Sequence, residues 1–251
     1  MRLYGSEAYT FGSAPRKAVA SPTMKHLPAF LILAATSSLG LFGCGGTDSH
    51  AETATLRVVH ASPNAPNVDV LVGNDVRIAG LSYFNSSTTS LEEGNNRIRV
   101  NAAGTASTVI DTPLPTVKGR LYTVLAADVL ATINPIVIDD IDAGPGAGLA
   151  RVRIAHASPS AGNVDVFITA PTDPLPAVAT LPNVPFKAVS TPISVPSGSY
   201  RVRITPAGAP GTVAIDSGTI TLGSNSSTIA VALDKASGGA PLTARLFTKS
   251  Y

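Results

Sequence analysis

Hydrophobic and polar residues alternate with a period of two along most of the chain after residue 54. In Val68–Val72 the three valines share one face, and in Arg97–Val100 the arginines alternate with aliphatic residues. Arg201–Ile204 repeats that second pattern. A period of two is typical of strands with one buried face, and no segment shows a helical period. The pattern predicts an all-β protein.

Clusters of turn-forming residues separate the predicted strands. They include the sequences SPNAPN, EEGNN, NAAGT, PSGS and TPAGAPG. Glycine, proline, asparagine and serine favour turns because they tolerate or fix backbone angles that strands do not use. Strands separated by such turns at intervals of about 8–12 residues are typical of a β-sandwich.

One sequence unit occurs twice in the chain. Residues 56–72 read LRVVHASPNAPNVDVLV and residues 152–168 read VRIAHASPSAGNVDVFI, a constant offset of 96. Weaker matches follow in the same order: Phe84 with Phe186, Arg97–Val100 with Arg201–Ile204, Asp111 with Asp216, and Tyr122–Asp128 with Thr228–Asp234. Two copies of this length indicate tandem domains rather than a solenoid. We therefore predict a β-sandwich of about six or seven strands at 54–143, a linker at 144–149, and a second sandwich at 150–251.

Residues 24–43 predict a lipoprotein signal peptide. A basic start at Lys25 precedes the apolar stretch Leu27–Leu41, which is short for a permanent membrane span. The sequence Leu41–Cys44 resembles a bacterial lipobox, although Phe42 is bulkier than the usual residue there. We expect cleavage before Cys44 and lipid attachment to its thiol. The alternative is an ordinary signal peptide with an incidental cysteine.

The residues on either side of this signal peptide complete the expected organisation. Residues 1–23 fit no signal-peptide pattern, and Met24 is the better start, so we expect 1–23 to lie upstream of the true start. Residues 44–53 are small and polar, as in a flexible tether. Gly45 leaves sorting to the outer membrane open. We expect an exported, membrane-anchored lipoprotein of the cell envelope, with the outer membrane or cell surface favoured.

The signature HASP-x-A-x-NVDV, present in both copies behind the lipobox, resembles the bacterial domain-of-unknown-function 4397 family (DUF4397). The resemblance covers about residues 54–251. It implies an exported or surface-attached protein with immunoglobulin-like or transthyretin-like β-sandwich domains. The family has no assigned activity, so the resemblance brings no catalytic residues with it.

Composition and charge narrow the classes of partner. Hydrophobic residues make up 44% of the chain and charged residues 14%, which argues against wholesale disorder. Four of the 18 basic residues and one of the 16 acidic residues lie before Cys44, so the rest of the chain is near neutral. No basic cluster suited to nucleic acid is evident, and we predict no nucleic-acid partner. A single cysteine excludes a disulfide within the chain.

The repeated signature supplies the sharpest candidate residues. In the first copy they are His60, Ser62, Pro63, Asn67 and Asp69, and in the second His156, Ser158, Pro159, Asn163 and Asp165. One hypothesis makes each His/Asp pair a metal or acid–base site, but a metal site normally takes three or four ligands. The favoured interpretation is structural: His and Ser bond the backbone of a turn, Pro fixes it, and Asn forms an Asx-type turn. We predict no catalytic residue, metal ion or cofactor.

Two further groups of charges have alternative interpretations. Asp139, Asp140 and Asp142 could bind Ca²⁺ through their oxygens, although a solvated acidic strand end is favoured. The pairs Arg97/Arg99 and Arg201/Arg203 could meet anionic polysaccharide or lipid headgroups. The favoured interpretation is the solvated side of an edge or outer strand.

These observations predict a non-catalytic binding or spacer module at the cell surface or in the periplasm. The membrane would be reached through the lipid anchor, and the ligand would be a cell-wall polymer, a polysaccharide or a protein. Tandem domains raise avidity for a repetitive ligand if the linker lets both engage. The alternative function is an envelope hydrolase or metal-dependent enzyme that uses the His60/Asp69 and His156/Asp165 pairs.

Overall fold

The computed structural model describes residues 53–140 and 143–251. The predicted signal peptide and Cys44 lie outside these residues, as does Asp142. The described chain is built from β-strands, with one short 3₁₀ turn at Leu130–Thr132. The all-β prediction is confirmed. No helix in the described ranges is long and apolar enough to cross a membrane.

The first repeat contains eight strands. They are β1 (Ala54–Ala61), β2 (Val68–Val72), β3 (Asp75–Leu81), β4 (Ser86–Leu91), β5 (Gly94–Ala102), β6 (Thr108–Thr116), β7 (Leu121–Ala127) and β8 (Asn134–Asp140). They form two four-stranded sheets in the orders β4-β1-β7-β8 and β3-β2-β5-β6. All neighbouring strands are antiparallel except β1 and β7, which are parallel.

The second repeat has the same topology. Its strands are β9 (Leu149–His156), β10 (Val164–Thr169), β11 (Leu181–Val184), β12 (Ile193–Pro196), β13 (Gly198–Pro206), β14 (Ile215–Leu222), β15 (Ser226–Leu233) and β16 (Thr243–Ser250). The sheet orders are β12-β9-β15-β16 and β11-β10-β13-β14, with β9 parallel to β15. Two β-sandwiches are thus confirmed, each with eight strands rather than the six or seven predicted.

Each sandwich has its own apolar core between its two sheets. In the first, Leu56, Val70 and Ile98 are fully buried within one cluster. In the second, Val166 and Ile154 belong to the corresponding cluster. These are the inward positions of the period-two pattern, because successive side chains of a strand point to opposite faces.

A third core joins the two repeats. It lies on the outer faces of the β1 and β9 sheets and consists of buried residues from both repeats: Val59, Ala61, Leu125, Ala127, Ile136, Ile138, Ala155, Ala157, Ile229, Val231 and Leu233. Strands β7 and β15 are consequently buried on both faces along their whole length. The sheets therefore stack in four layers, with the β1 and β9 sheets in the middle.

Polar contacts reinforce this interface between the repeats. The Tyr83 hydroxyl donates to the Asp234 carbonyl at 2.8 Å, and the Ser237 N–H donates to the Pro63 carbonyl at 2.7 Å. The Lys187 ammonium of the second repeat also lies 2.7 Å from the Asp128 carboxylate of the first. Each repeat thus reaches a loop of the other.

The predicted linker at 144–149 has a Gly- and Pro-rich composition that favours a hinge, yet its backbone is hydrogen-bonded to the second repeat. Gly146 N–H donates to the Asn225 side chain at 3.1 Å, and Gly148 N–H donates to Ser224 Oγ at 2.8 Å. A hinge requires few contacts on either side of the linker. Here the linker is bonded to the second repeat, and an apolar core lies between the sandwiches.

Candidate functional site

The histidine of each signature lies at the end of the first strand of its repeat, as the next-to-last residue of β1 or the last residue of β9, and is buried. His60 and His156 are both 0% exposed. His60 Nε2 lies 2.9 Å from the Pro66 carbonyl oxygen, and its Nδ1 accepts the Ser62 N–H at 3.4 Å. His156 makes the same pair of contacts with the Gly162 carbonyl and the Ser158 N–H, at 2.7 and 3.3 Å. Each imidazole therefore closes the turn that follows it.

These partners define the protonation state of the rings. A carbonyl only accepts and a backbone N–H only donates, so Nε2 carries the proton and Nδ1 is unprotonated. Burial lowers the pKa of His60 and of His156, against the opposing effect of the backbone hydrogen bonds. The neutral imidazole is thus the form consistent with these hydrogen bonds, and both nitrogens of each ring are bonded to backbone groups.

Packed aromatic rings cover the two histidines. Tyr83 meets His60 edge-on with ring centroids 5.8 Å apart, and Phe186 meets His156 at 5.9 Å. Phe84 and Lys187 follow them, each with a positive φ of 68° and an N–H that donates to the histidine carbonyl. The pairing of Phe84 with Phe186 predicted from sequence is therefore one residue out of register, because Tyr83 is the structural counterpart of Phe186.

The two signature serines lie in different environments. Both are fully buried. Ser158 Oγ donates to the Asp234 carboxylate, which also accepts from Ser160 Oγ at 2.8 Å. Ser62 Oγ has no hydrogen-bond partner within the described ranges. The signature serine therefore donates a hydrogen bond to a buried carboxylate, Asp234, in the second repeat, and its counterpart Ser62 does not do so in the first.

The signature aspartates bind backbone N–H groups of neighbouring loops. The Asp69 carboxylate accepts from Gly80 at 2.7 Å and from Gly104 at 2.8 Å. Both glycines have positive φ, at 63° and 72°, which directs their N–H groups towards the carboxylate. These bonds lower the pKa of Asp69.

Asp165 repeats this arrangement with one change. Its carboxylate accepts from Asn183 at 2.7 Å and from Gly208 at 2.8 Å, which lowers its pKa. Asn183 takes the left-handed conformation that Gly80 has in the first repeat. In both repeats the aspartate lies on the strand that follows the turn, β2 or β10, and accepts hydrogen bonds from the backbone of two other segments.

The remaining signature residues also belong to the turns. Asn67 and Asn163 accept the N–H groups of Ala103 and Ala207 through their main-chain carbonyls, at 2.8 and 3.0 Å. This differs from the side-chain Asx contact expected from the sequence. Pro63 and Pro159 follow the buried serines. His60 and Asp69 are each bound to their own backbone partners, so the structure does not bring them together as a catalytic or metal pair.

The acidic cluster and the paired arginines are engaged in salt bridges or backbone contacts. Asp139 lies 2.5 Å from Arg120, and buried Asp140 lies 3.7 Å from Arg153 of the second repeat. Arg97 binds Asp111 with two hydrogen bonds, at 2.7 and 2.5 Å. Arg201 does the same with Asp216. Two of the three carboxylates of the calcium interpretation therefore face arginines, and Asp142 lies outside the described residues.

The second arginine of each pair is held by carbonyls rather than solvent. Arg99 donates to Gly73 O at 2.7 Å, and Arg203 donates to Asp173 O at 2.8 Å. Arg99 lies on β5 and Arg203 on β13, and both strands lie inside their sheets rather than at an edge. These two sheets are the outer layers, so the arginines lie on outer strands as the interpretation allowed, but not on edge strands.

A groove of about 210 Å³ opens where the two repeats meet. It is lined by Thr55, Arg57, Thr88 and Leu121 of the first repeat and by Thr248 and Lys249 of the second. Arg57 is partly buried, and its guanidinium lies over the Phe247 ring at 5.9 Å. No group of three or more metal-ligating side chains exists in the described ranges.

Comparison with known proteins identifies the repeated signature. The sequence model described as "Domain of unknown function (DUF4397)" matches residues 54–167, from the start of β1 to Phe167 in β10. Residues 54–167 belong to the DUF4397 family. The match contains the first repeat and the complete HASP-x-A-x-NVDV signature of the second. No curated protein sequence matches the chain.

Two solved structures resemble the chain at low identity. One is the carbohydrate-binding module CBMbc (family CBM26) from Eubacterium rectale Amy13K in complex with maltoheptaose, at 8% identity and TM-score 0.25, covering 79% of this chain and 97% of that one. The other is a candidate cell adhesion protein from Bacteroides uniformis, at 9% identity and TM-score 0.24, covering 78% and 98%. Because identities and TM-scores are this low, neither similarity bears on the function of this chain.

Sequence reasoning missed the partners of the repeated signature residues. Asp234 and Asp128 were matched as equivalent, but nothing in their spacing indicated which would bind serine. The groove at Arg57 was missed because its walls come from residues almost 200 positions apart, Thr55 and Lys249. Only the packing of one repeat on the other brings these walls together.

Proposed function

We propose that this chain is an exported lipoprotein of the bacterial cell envelope whose two repeats form one rigid, non-catalytic binding module. Its lipid anchor is Cys44. Its ligand is a cell-wall polymer, a polysaccharide or a protein. The outer membrane or the cell surface is the favoured site.

The engagement of the signature side chains is the observation that carries this proposal. Both nitrogens of His60 and His156 are bonded to backbone groups, and both residues are fully buried. A general base must reach a substrate proton, within about 2.6–3.2 Å or through one water. These histidines face backbone instead, so the repeated signature supports construction of the fold, and recognition is left to exposed surfaces.

The packing of the repeats refines how such a module would work. A shared apolar core fixes the spacing between the two sandwiches. Avidity between flexibly linked domains depends on linker length and stiffness. A fixed spacing instead favours a ligand that contacts both repeats at once, at or near their junction.

An envelope hydrolase or metal-dependent enzyme is the alternative. It would use the His60/Asp69 and His156/Asp165 pairs. No contact described above favours it, because Asp69 and Asp165 bind glycine or asparagine N–H groups rather than a histidine.

Mass spectrometry of the protein expressed in a bacterial envelope tests the anchor. We expect wild type to begin at an acylated Cys44 and the Cys44→Ala variant to be unacylated and released from membranes. An unmodified Cys44 with a start elsewhere would replace the proposal with a freely secreted or periplasmic protein. The same preparation, assayed for binding to isolated cell-wall polymers and envelope polysaccharides, tests the module itself.

A further inference from the structure

Strand β16 is a regular edge strand of an inner sheet. It pairs with β15 through all of Thr243–Ser250 without a register shift, and with no other strand among the described residues. Strand β8, its counterpart in the first repeat, contains Pro135, which has no N–H to offer at a free edge. Ala244 occupies the equivalent position of β16, because it pairs with Ala232 as Pro135 pairs with Ala126. Strand β16 therefore keeps the N–H that β8 lacks at this position.

A second groove, of about 220 Å³, lies between β16 and β14, the edge strands of the two sheets of the second repeat. We call it the edge groove. Its apolar lining residues are Ala214, Ile215, Leu242, Ala244 and Leu246. Leu246 is 39% exposed, and the carboxylate of Asp216 beside it is already bound by Arg201. Pockets for drug-sized ligands measure about 300–1,000 Å³, so the edge groove suits one or two apolar side chains.

The first repeat closes the equivalent position. Val109 and Ile133 are the counterparts of Ala214 and Leu242 in the matching strand registers. Ile133 is buried in the first apolar core, and Val109 packs against that core. In the second repeat, Ala214 is smaller than valine and Leu242 is only partly buried. Because the two repeats share one topology, the edge groove reflects these residue differences rather than the fold.

The face of β4 beside β16 is uncovered. Thr88 pairs with Arg57, whose guanidinium lies over Phe247 of β16, so the Thr88 side chain lies on the face of its sheet that is turned to the second repeat. Ser86, Thr88 and Ser90 alternate along this face, and all three are exposed. Thr88 shares the groove at Arg57 with residues of β16 and with none of β15. A strand added to the free side of β16 would therefore cover this serine and threonine surface.

We propose that β16 and the edge groove bind an extended segment of a partner polypeptide, which pairs with β16 as an added strand and inserts apolar side chains into the edge groove. Successive side chains of a strand point to opposite faces, so the segment has apolar residues towards the edge groove and polar residues towards β4. Arg245, an exposed cation of β16 that lies over the Phe84 ring, favours an acidic segment. The inference deepens the proposed binding function, on which it rests, by naming a polypeptide as the ligand.

Fluorescence polarisation with labelled peptides and the purified protein tests the inference. The probe is an eight-residue peptide that alternates valine or leucine with threonine and carries glutamate at both ends. Its control has the same composition, with the apolar residues in one block. We expect the block peptide to bind at least about tenfold more weakly, because only alternation directs every apolar side chain to one face. Replacement of the glutamates by lysines should weaken binding by about twofold to fivefold.

Two matched substitutions locate the site. Leu246→Asp places a carboxylate in the edge groove and should weaken binding of the alternating peptide by at least about tenfold. Val137→Asp is the control, because Val137 is the counterpart of Leu246 on β8, is similarly exposed at 44%, and should leave binding unchanged. Circular dichroism and thermal unfolding establish that each variant folds.

Two further substitutions copy the first repeat. Ala244→Pro removes one N–H from β16 at the position where β8 accommodates Pro135, and should weaken binding by about twofold to tenfold. Ala214→Val narrows the edge groove as Val109 does in the first repeat, and keeps the test usable if Ala244→Pro does not fold. Hydrogen exchange should show the alternating peptide protecting backbone N–H groups of β16.

Several results would overturn the inference. They are no binding of the alternating peptide, equal binding of the alternating and block peptides, equal losses in Leu246→Asp and Val137→Asp, protection of β4 in place of β16, or a dimer formed through β16 that excludes the peptide. If the peptides fail while an isolated envelope polysaccharide binds, the edge-groove inference falls and the proposed function stands. If the peptides bind while Cys44 is unmodified, the proposed anchor falls and the edge groove stands.

Discussion

Asp128 and Asp234 occupy the same position in the two repeats, directly after β7 and β15, yet their carboxylates bind different partners. The Asp234 carboxylate bonds only groups of its own repeat in the described residues, accepting from Ser158, Ser160 and the Gly239 N–H. Asp128 accepts from its own Val129 N–H and reaches Lys187 of the second repeat. One carboxylate thus stabilises a turn, and its counterpart helps to hold the repeats together.

The comparison shows how a duplicated unit becomes asymmetric. Both copies keep the histidine turn and the aspartate that accepts hydrogen bonds from two loops. Identical side chains nevertheless have different partners, as Ser62 and Ser158 show, and Tyr83 bonds the other repeat through a hydroxyl that its counterpart Phe186 lacks. The interface, more than the signature, distinguishes the two repeats.

Disruption of the apolar core between the repeats should have the largest effect on stability. Leu125→Ala removes a fully buried side chain of this shared core and should destabilise the protein by about 2–5 kcal/mol. Chemical denaturation should show wild type unfolding in one transition and the variant either less stable or in two transitions. Val137→Ala, at an exposed position of β8, is the control and should change stability by about 0.5 kcal/mol or less. Equal effects of the two variants would mean that the repeats are not coupled.

Matched serine substitutions sharpen the comparison between the repeats. Ser158→Ala removes a donor from the buried Asp234 carboxylate and should cost about 1.5–3 kcal/mol. Ser62→Ala removes a buried hydroxyl without a hydrogen-bond partner in the described ranges, and should be neutral or slightly stabilising. Urea denaturation of the two variants measures the difference. Equal destabilisation would contradict the asymmetry.

The histidine turns should respond alike to acid. Burial lowers the pKa of both histidines below the ordinary value of about 6.5, so below that pH the unfolded chain binds more protons than the folded one. Stability should therefore fall as pH drops below about 6.5, by at most about 1.4 kcal/mol per pH unit for each histidine. Denaturation at several pH values, with NMR titration of the rings, measures this. Histidines that titrate at or above 6.5 would refute it.

Much of the fold can be predicted from the residues of single strands. The alternation at Val68–Val72 and Arg97–Val100 correctly indicates one buried face, and the repeated signature indicates two copies. The packing between repeats leaves a weaker signal, the nearly continuous apolar run of Leu121–Ala127, which is typical of strands buried on both faces. The period-two interpretation overlooked it.

The candidate site is less predictable for a physical reason. His60 and Asp69 are nine residues apart, and their residue types suit catalysis as well as turn formation. Their bonds go to backbone groups at Pro66, Gly80 and Gly104, and sequence does not display backbone direction. The groove at Arg57 depends on contacts between distant segments, which no local pattern encodes.

The position of β1 determines how the protein bears mechanical load. This strand lies between β4 and β7 in an inner sheet, and the preceding chain continues from its first residue, Ala54. A pull transmitted through that chain acts along the strand axis, while ladder hydrogen bonds run across it. Such a force shears the bonds to both neighbours together instead of unzipping them one at a time. If the chain is anchored through Cys44 as proposed, this geometry would resist unfolding when a bound ligand pulls on the protein.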